Sequence, residues 1–237
     1  FDSSQAIDIS IPIIAGDQTV NAYYIPFAEI TPFKMGTFIG STAFGGPVNC
    51  YDVKFNPHAH GTHTECYGHI AKNHIKLNDC LKEFWFKAKL ISVWPTLNPN
   101  GDLVIYKENL EGIDWNNEEA LIIRTLPNDY SKTKRHYSGT NPAYFDSEFI
   151  QKIKEQGIKH LICDLPSIDR EEDEGALAAH KCFWNYPENP RLDCTITELA
   201  FIPELISDGD YLLNLMVSGF DSDAVPSKPI LYKINFQ

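Results

Sequence analysis

The chain has 237 residues, 43% hydrophobic and 12% aromatic, which is enough apolar surface to offset the entropy of ordering a single domain over residues 1–237 and excludes a disordered chain. Its 32 acidic residues against 20 basic ones give a formal charge of −12 and no basic stripe, so nucleic acid is excluded as a partner and a small-molecule ligand is expected. No run approaches about 18 consecutive apolar residues, and Phe1-Asp2-Ser3-Ser4-Gln5 lacks a basic stretch followed by an apolar one, so no membrane partner and a soluble, cytoplasmic protein are expected.

Ala6 to Ile11 alternates apolar and polar residues and predicts a half-buried strand that stops at Pro12. Tyr23, Tyr24, Ile25 and Phe27 follow as an apolar arm, a candidate interface of a homo-oligomer. Asn49 to Phe55 alternates again after the glycine-rich stretch 37–46, so the histidine-rich run that starts at His58 leaves the end of a strand. Phe84 to Val93, Leu103 to Tyr106 and Ala120 to Thr125 are further β-like runs separated by proline and glycine turns. Asp146 or Ser147 then caps a helix over residues 148–156, where Phe149, Ile150 and Ile153 share one face and Gly157 supplies the stop.

A strand over Ile158 to Leu165 follows directly, then a helix over Ala176 to Trp184, and strands over Ile196 to Leu205, Tyr211 to Val217 and Pro229 to Asn235. The pattern predicts an α/β fold, a mixed sheet or barrel-like β core with helices packed outside. The six cysteines form no CxxC pair and are read as free, mostly buried thiols. The acidic run 169–174 reads as solvated surface.

Chemistry concentrates in residues 57–69, PHAHGTHTECYGH, which hold His58, His60, His63, Glu65 and His69. In an extended segment His63 and Glu65 are two apart and project to one face, which suits two ligands of one ion. Imidazole nitrogen with carboxylate oxygen suits Zn²⁺, Mn²⁺ or Fe²⁺. A set of surface histidines in a polar loop is the plain alternative for any one of them, and His74, His136 and His160 are read that way.

The run His60-Gly61-Thr62-His63-Thr64-Glu65-Cys66-Tyr67-Gly68-His69 resembles the HxGTHxDxPxH signature of the cyclase-type metal-dependent hydrolases, the group that includes kynurenine formamidase and isatin hydrolase. The likeness extends to Asp164-Leu165-Pro166-Ser167, to His180 and to Glu198, and covers roughly residues 5 to 235. It implies a swivelling β/β/α cyclase-like fold, often oligomeric, with His63, Glu65, His180 and Glu198 on a divalent metal, Zn²⁺ first and Mn²⁺ second, and with His69 in acid/base chemistry. The reaction it implies is hydrolysis of the carbon–nitrogen bond of an aryl or cyclic amide, arylformamidase-like, with N-formylkynurenine of tryptophan catabolism as the reference substrate. Three departures stand out: Ala59 occupies the place of the opening histidine, leaving His58 or His60 as its replacement; Glu65 stands for Asp; and Cys66-Tyr67-Gly68 replaces x-Pro-x.

Two other readings follow from the same residues. Loss of a ligand at Ala59 fits a catalytically inactive family member that binds a small molecule, and Cys66 between Glu65 and His69 fits a cysteine nucleophile. Phe44, Tyr67, Trp85, Phe183 and Trp184 are candidates to line an aryl pocket, with core packing as the plainer account. Asp164 and Ser167 at a strand end suit a turn or cap as well as a substrate contact. On the hydrolase reading, His69→Ala keeps metal and loses about 10²- to 10⁴-fold in turnover, the usual worth of a general acid/base, whereas His63→Ala and Glu65→Ala lose metal. Metal content and turnover measured on the three variants check this, and full activity in the His69 variant would remove it from the reaction.

Overall fold

The structure, a computed structural model, describes residues 4–234. Ala120–Thr125 explains the architecture: all six residues are buried, a run with no polar face, and such a strand must be covered on both sides. Ala120 and Ile122 point into a core with Phe86, Ala88, Leu90, Ile162, Leu213 and Leu231. Leu121 and Ile123 point the other way, onto a layer with Leu161, Ile196 and the helical residues Phe149, Ile153, Phe183 and Trp184.

The first of these cores lies inside a closed ring of strands. Seven strands follow one another around it: His63–Cys66, Thr195–Glu198, His160–Cys163, Ala120–Thr125, Trp85–Val93, Gly209–Val217 and Ala224–Lys233, which returns to His63–Cys66. The four strands from Thr195–Glu198 to Trp85–Val93 are mutually parallel, and the other pairings are antiparallel. Ala224–Lys233 closes the ring, because Ala224–Pro226 pairs with Glu65–His63 while Ser227–Lys233 pairs with Val217–Tyr211. Closure removes the exposed edges that an open sheet presents. The predicted mixed, barrel-like β core with outer helices is therefore the observed fold.

The helix Ser147–Glu155 is capped by Asp146, whose Oδ1 accepts from the Glu148 N–H at 2.8 Å, and it buries Phe149, Ile150 and Ile153 as their spacing predicts. Other elements are shorter than the sequence suggests. The strand read from Ile196 ends at Glu198 because Leu199 takes φ of +52°, and the helix read from Ala176 begins at Ala178 because Leu177 takes φ of +47°. The opening strand is paired in the sheet at Ile7–Asp8, with one isolated bridge from Ser10 to Ala200, and Ile11 donates its N–H to Thr62 Oγ1 at 2.7 Å. The closing strand begins earlier, at Ala224, and Asn235 lies outside the described residues. Among the described residues no helix is long and apolar enough to cross a membrane.

His160 shows how a histidine is used as core here. Its Nδ1 lies 2.9 Å from Thr195 Oγ1, its ring centroid is 3.9 Å from that of Phe86, and burial pushes its pKa down to about 3. The unfolded chain, with a histidine near 6.5, binds more protons than the folded one between these values. His160 therefore leaves stability intact above about pH 6.5 and subtracts from it as pH falls toward about 3, at a slope approaching about 1.4 kcal/mol per pH unit. Denaturant unfolding of metal-free wild type and His160→Asn between pH 7 and pH 5 checks this: the difference in slope, not the absolute stability, carries the result, and parallel curves would refute it.

Candidate metal centre

The site grows from the strand His63–Cys66, which passes directly into a 3-10 turn over Tyr67–His69. Thr64 and Cys66 face the barrel interior, where Thr64 Oγ1 meets Thr197 Oγ1 at 2.7 Å, so His63 and Glu65 face outward under the helix Ala178–Trp184. The preceding Gly-Thr fixes the strand in place. A Cβ at Gly61 would stand 2.7 Å from the Ile11 carbonyl oxygen, and the Thr62 hydroxyl donates to the Leu199 carbonyl at 2.5 Å. In the antiparallel register with Thr195–Glu198, His63 lies opposite Glu198, which brings a second carboxylate to the same face.

His63, Glu65, His180 and Glu198 come together there. His63 Nδ1 donates to the Gly61 carbonyl at 3.1 Å, which leaves the lone pair on Nε2, 3.4 Å from Glu198 Oε2. His180 Nδ1 donates to Asp169 Oδ2 at 2.6 Å, and its Nε2 lies 3.1 Å from Glu65 Oε1 and 3.8 Å from Glu198 Oε1. His63 Nε2 and Glu65 Oε2 are fully buried and have no hydrogen-bond partner. Ligand atoms of His63, Glu65 and Glu198 all fall within 4.8 Å of one another. Two ligands of a tetrahedral ion at about 2.0–2.1 Å stand about 3.3 Å apart, so the observed separation of His63 and Glu198 suits a shared cation. The residues fit a divalent metal.

The electrostatics follow from burial among imidazoles. Burial opposes ionisation of Glu65, yet His69, His180 and His58 around it hold the carboxyl well below the usual carboxylate range. Burial also opposes charge on His180, but Asp169 and Glu65 outweigh it and push the imidazole up to about 10. Asp169 is thereby removed from the solvated acidic run in which the sequence places it. It is buried, and its two oxygens also accept from the Ala179 and His180 N–H groups at 2.7 and 3.0 Å, so it serves both the imidazole and the start of the helix.

The two histidines that flank Ala59 have different surroundings. His60 is spent on structure: its Nδ1 accepts from the Asn56 N–H at 2.8 Å and its Nε2 donates to the Pro26 carbonyl at 3.0 Å. His58 instead brings Nδ1 to 3.2 Å from Glu65 Oε2, and His58, Glu65 and His69 form a second group whose ligand atoms lie within 4.8 Å of one another. Asp223, which the sequence does not single out, faces both His58 Nε2 at 3.2 Å and His69 Nδ1 at 3.4 Å. Those two histidines hold its carboxyl well below the usual range.

A cavity of about 260 Å³ opens onto the cluster, bounded by Tyr23, Ile25, Ser167, Arg170 and Leu177, with His58, His69, His180 and Glu198 in its wall. A larger groove of about 690 Å³ lies elsewhere, along the helix Ser147–Glu155, and is lined by surface Lys and Glu side chains with no such cluster. None of Phe44, Tyr67, Trp85, Phe183 and Trp184 lines the cavity; Phe44 and Trp85 are exposed and the other three are core. Asp164 is likewise structural, buried against Lys132 and Thr125. Cys66 is a free, buried thiol on the opposite face of its strand from the cluster, and a hydrogen bond with Cys80 together with burial pushes the thiol up, both of which argue against a thiolate nucleophile.

The Cyclase family model matches residues 7–170 of the chain. No curated protein matches it in sequence. Among solved structures, a predicted metal-dependent hydrolase from Bacillus stearothermophilus is 16% identical with a TM-score of 0.64, covering 96% of this chain and 97% of the other. An isatin hydrolase bound to the product analogue thioisatinate is 11% identical with a TM-score of 0.66, covering 96% and 91%. Isatin hydrolase A from Labrenzia aggregata, bound to benzyl benzoate, is 12% identical with a TM-score of 0.65, covering 96% and 93%. At these identities the likeness is one of fold.

If the orphaned atoms await a cation, adding Zn²⁺ to metal-stripped protein raises its melting temperature, since free metal at about 1,000 times Kd adds about 4 kcal/mol. The rise is lost in His63→Ala; an equal rise in the variant, read by differential scanning calorimetry, would place the cation elsewhere.

Proposed function

This chain belongs to the cyclase family, and on that premise we propose that it is a metal-dependent hydrolase of a small aryl or cyclic amide, arylformamidase-like in its reaction. The observation that carries the reading is the pair of buried atoms without a hydrogen-bond partner, His63 Nε2 and Glu65 Oε2, set against His180 and Glu198, which line a cavity. His63, Glu65, His180 and Glu198 would hold the metal, Zn²⁺ first and Mn²⁺ second by the mix of imidazole and carboxylate. When bound, such an ion supplies Lewis acidity, lowering the pKa of water toward about 7 and polarising a carbonyl oxygen.

The protein's own groups supply orientation and proton transfer. Asp169 and the Gly61 carbonyl fix the tautomers of His180 and His63, so that both present Nε2 to the centre. His69 lies beside Glu65 and has the most exposed imidazole of the cluster, with 30% of its side chain accessible, which suits it to take a proton from water, return it to the leaving nitrogen and exchange with solvent. The cavity volume admits a substrate of one or two rings, and Tyr23, Ile25 and Leu177 give it an apolar wall. The fold likeness to isatin hydrolase supports a cyclic amide, and the motif likeness supports N-formylkynurenine. The exposed Tyr24 and Phe27, together with the exposed strand Tyr51–Lys54, support a homo-oligomer.

Ala59 keeps one further reading open, a small-molecule-binding protein without turnover. Elemental analysis of the purified protein beside hydrolysis of N-formylkynurenine and isatin separates the two. One or two equivalents of Zn²⁺ or Mn²⁺ with hydrolysis of either substrate is the expected result. Metal without hydrolysis of either assigns the binding protein, and no metal after reconstitution overturns the metal reading.

A further inference from the structure

His58, the neighbour of the departure at Ala59, and Gly68, in the segment that departs from x-Pro-x, meet in space at one carboxylate, Asp223, which lies beyond the residues that the family model matches. A Cβ at Gly68 would stand 2.0 Å from the Ile75 carbonyl oxygen and 3.1 Å from Asp223 Cβ, so the absent side chain is what admits this segment. Asp223 is held in place by its own backbone, because its carbonyl accepts from the Cys66 N–H at 3.1 Å at the end of the ligand-bearing strand. Its Oδ1 accepts from the Ser222 hydroxyl at 3.2 Å, which leaves Oδ2 for the imidazoles.

His58 is held from both sides. Its backbone N–H donates to Asn56 Oδ1 at 2.9 Å, and its ring Nε2 lies 3.2 Å from Asp223 Oδ2. An imidazole that donates from Nε2 carries its lone pair on Nδ1, and Nδ1 of His58 lies 3.2 Å from Glu65 Oε2, the buried oxygen with no hydrogen-bond partner. A carboxylate behind a ligating imidazole fixes its tautomer and raises its basicity toward the metal. Ala59, by contrast, is fully buried and offers nothing.

We propose that Asp223 is a positioning residue that presents His58 through Nδ1 as the replacement for the ligand missing at Ala59. The inference rests on the metal reading of the site given above. Asp223 acts through His58, so its contribution exists only while that imidazole is present.

Titration of the metal-stripped full-length chain with Zn²⁺ against a chromogenic chelator tests this without any assay of turnover. Asp223→Ala is expected to weaken Zn²⁺ binding about 10- to 100-fold, as loss of an outer carboxylate typically does. Asp223→Asn, whose side-chain oxygen still accepts from His58, keeps binding within about threefold, which a general loss of local folding would not allow. In a His58→Ala background, Asp223→Ala changes affinity by less than about twofold, because the two residues act as one unit. The inference falls if Asp223→Ala leaves Zn²⁺ affinity unchanged, or if its effect is the same size with and without His58. The His63→Ala variant tells this failure from the larger one: if it loses Zn²⁺ while Asp223→Ala does not, only the role of Asp223 is wrong, and if neither loses Zn²⁺ the metal reading falls with it.

Discussion

The register of the strand His63–Cys66 is the constraint on which the rest of the site depends. It is the strand that completes the ring, paired to Thr195–Glu198 on one side and to Ala224–Pro226 on the other. Because side chains alternate along a strand, a slip of one residue would turn His63 and Glu65 into the apolar barrel interior and bring Thr64 and Cys66 to the site. The barrel's core and the site therefore enforce the same register: Cys66 packs among Leu77, Phe86 and Val225, while Glu65 meets the histidines. The bonds from Thr62 to the Leu199 carbonyl and to the Ile11 N–H add a third lock at the point where the chain enters the strand.

Burial of charge explains why this centre asks for a cation. Elsewhere the protein buries a carboxylate with full compensation: Asp164 accepts from the Thr125 N–H and from Lys132 Nζ, which also donates to Thr125 Oγ1 and O. At the centre, Glu65 and Glu198 are buried with imidazoles as their only ionic partners among the described residues. An uncompensated buried polar atom costs on the order of 1–3 kcal/mol, more when it is charged. The site carries two such atoms, His63 Nε2 and Glu65 Oε2, with no Lys or Arg paired to either carboxylate of the cluster among the described residues, whereas Asp164 has Lys132 and Asp208 has Arg124. A divalent ion removes both costs at once, which protonated histidines do only in part.

What the sequence reveals of this centre is what lies close along the chain. His63 and Glu65 are legible because two residues in a strand share a face, and the helix Ser147–Glu155 is legible because its cap, apolar face and stop lie within 12 residues. His180 and Glu198 are read only through the likeness to a family, since a lone histidine on a helix and a glutamate ending a strand carry no local signal. Asp169 is hidden by the acidic residues that follow it, which disguise one buried carboxylate as part of a solvated run. Asp223 reaches His58 across 165 residues, through a strand pairing that no periodicity announces. The choice of His58 over His60 is hidden for a related reason, since it depends on the Asn56 N–H and the Pro26 carbonyl that occupy the second ring.

Local strain is gathered around the His–Glu cluster. Apart from asparagines, the non-glycine residues held at positive φ among the described ones are Tyr23, Tyr24, Glu174, Leu177 and Leu199. Leu199 follows Glu198, Leu177 precedes the helix that carries His180, and Tyr23 and Leu177 both face the cavity. Each such residue costs of order 1–3 kcal/mol and persists only where its surroundings over-determine it. Here those surroundings are visible. The Leu199 N–H donates to the Leu165 carbonyl at 2.9 Å, the Leu177 N–H to Asp173 Oδ2 at 2.6 Å, and the Tyr23 hydroxyl to the Pro166 carbonyl. The strained backbone ends a strand after Glu198, starts a helix just before His180 and seats an aromatic ring against the cavity. Relaxing any of the three would move a side chain of the cluster or a wall, so the strain and the site are one arrangement.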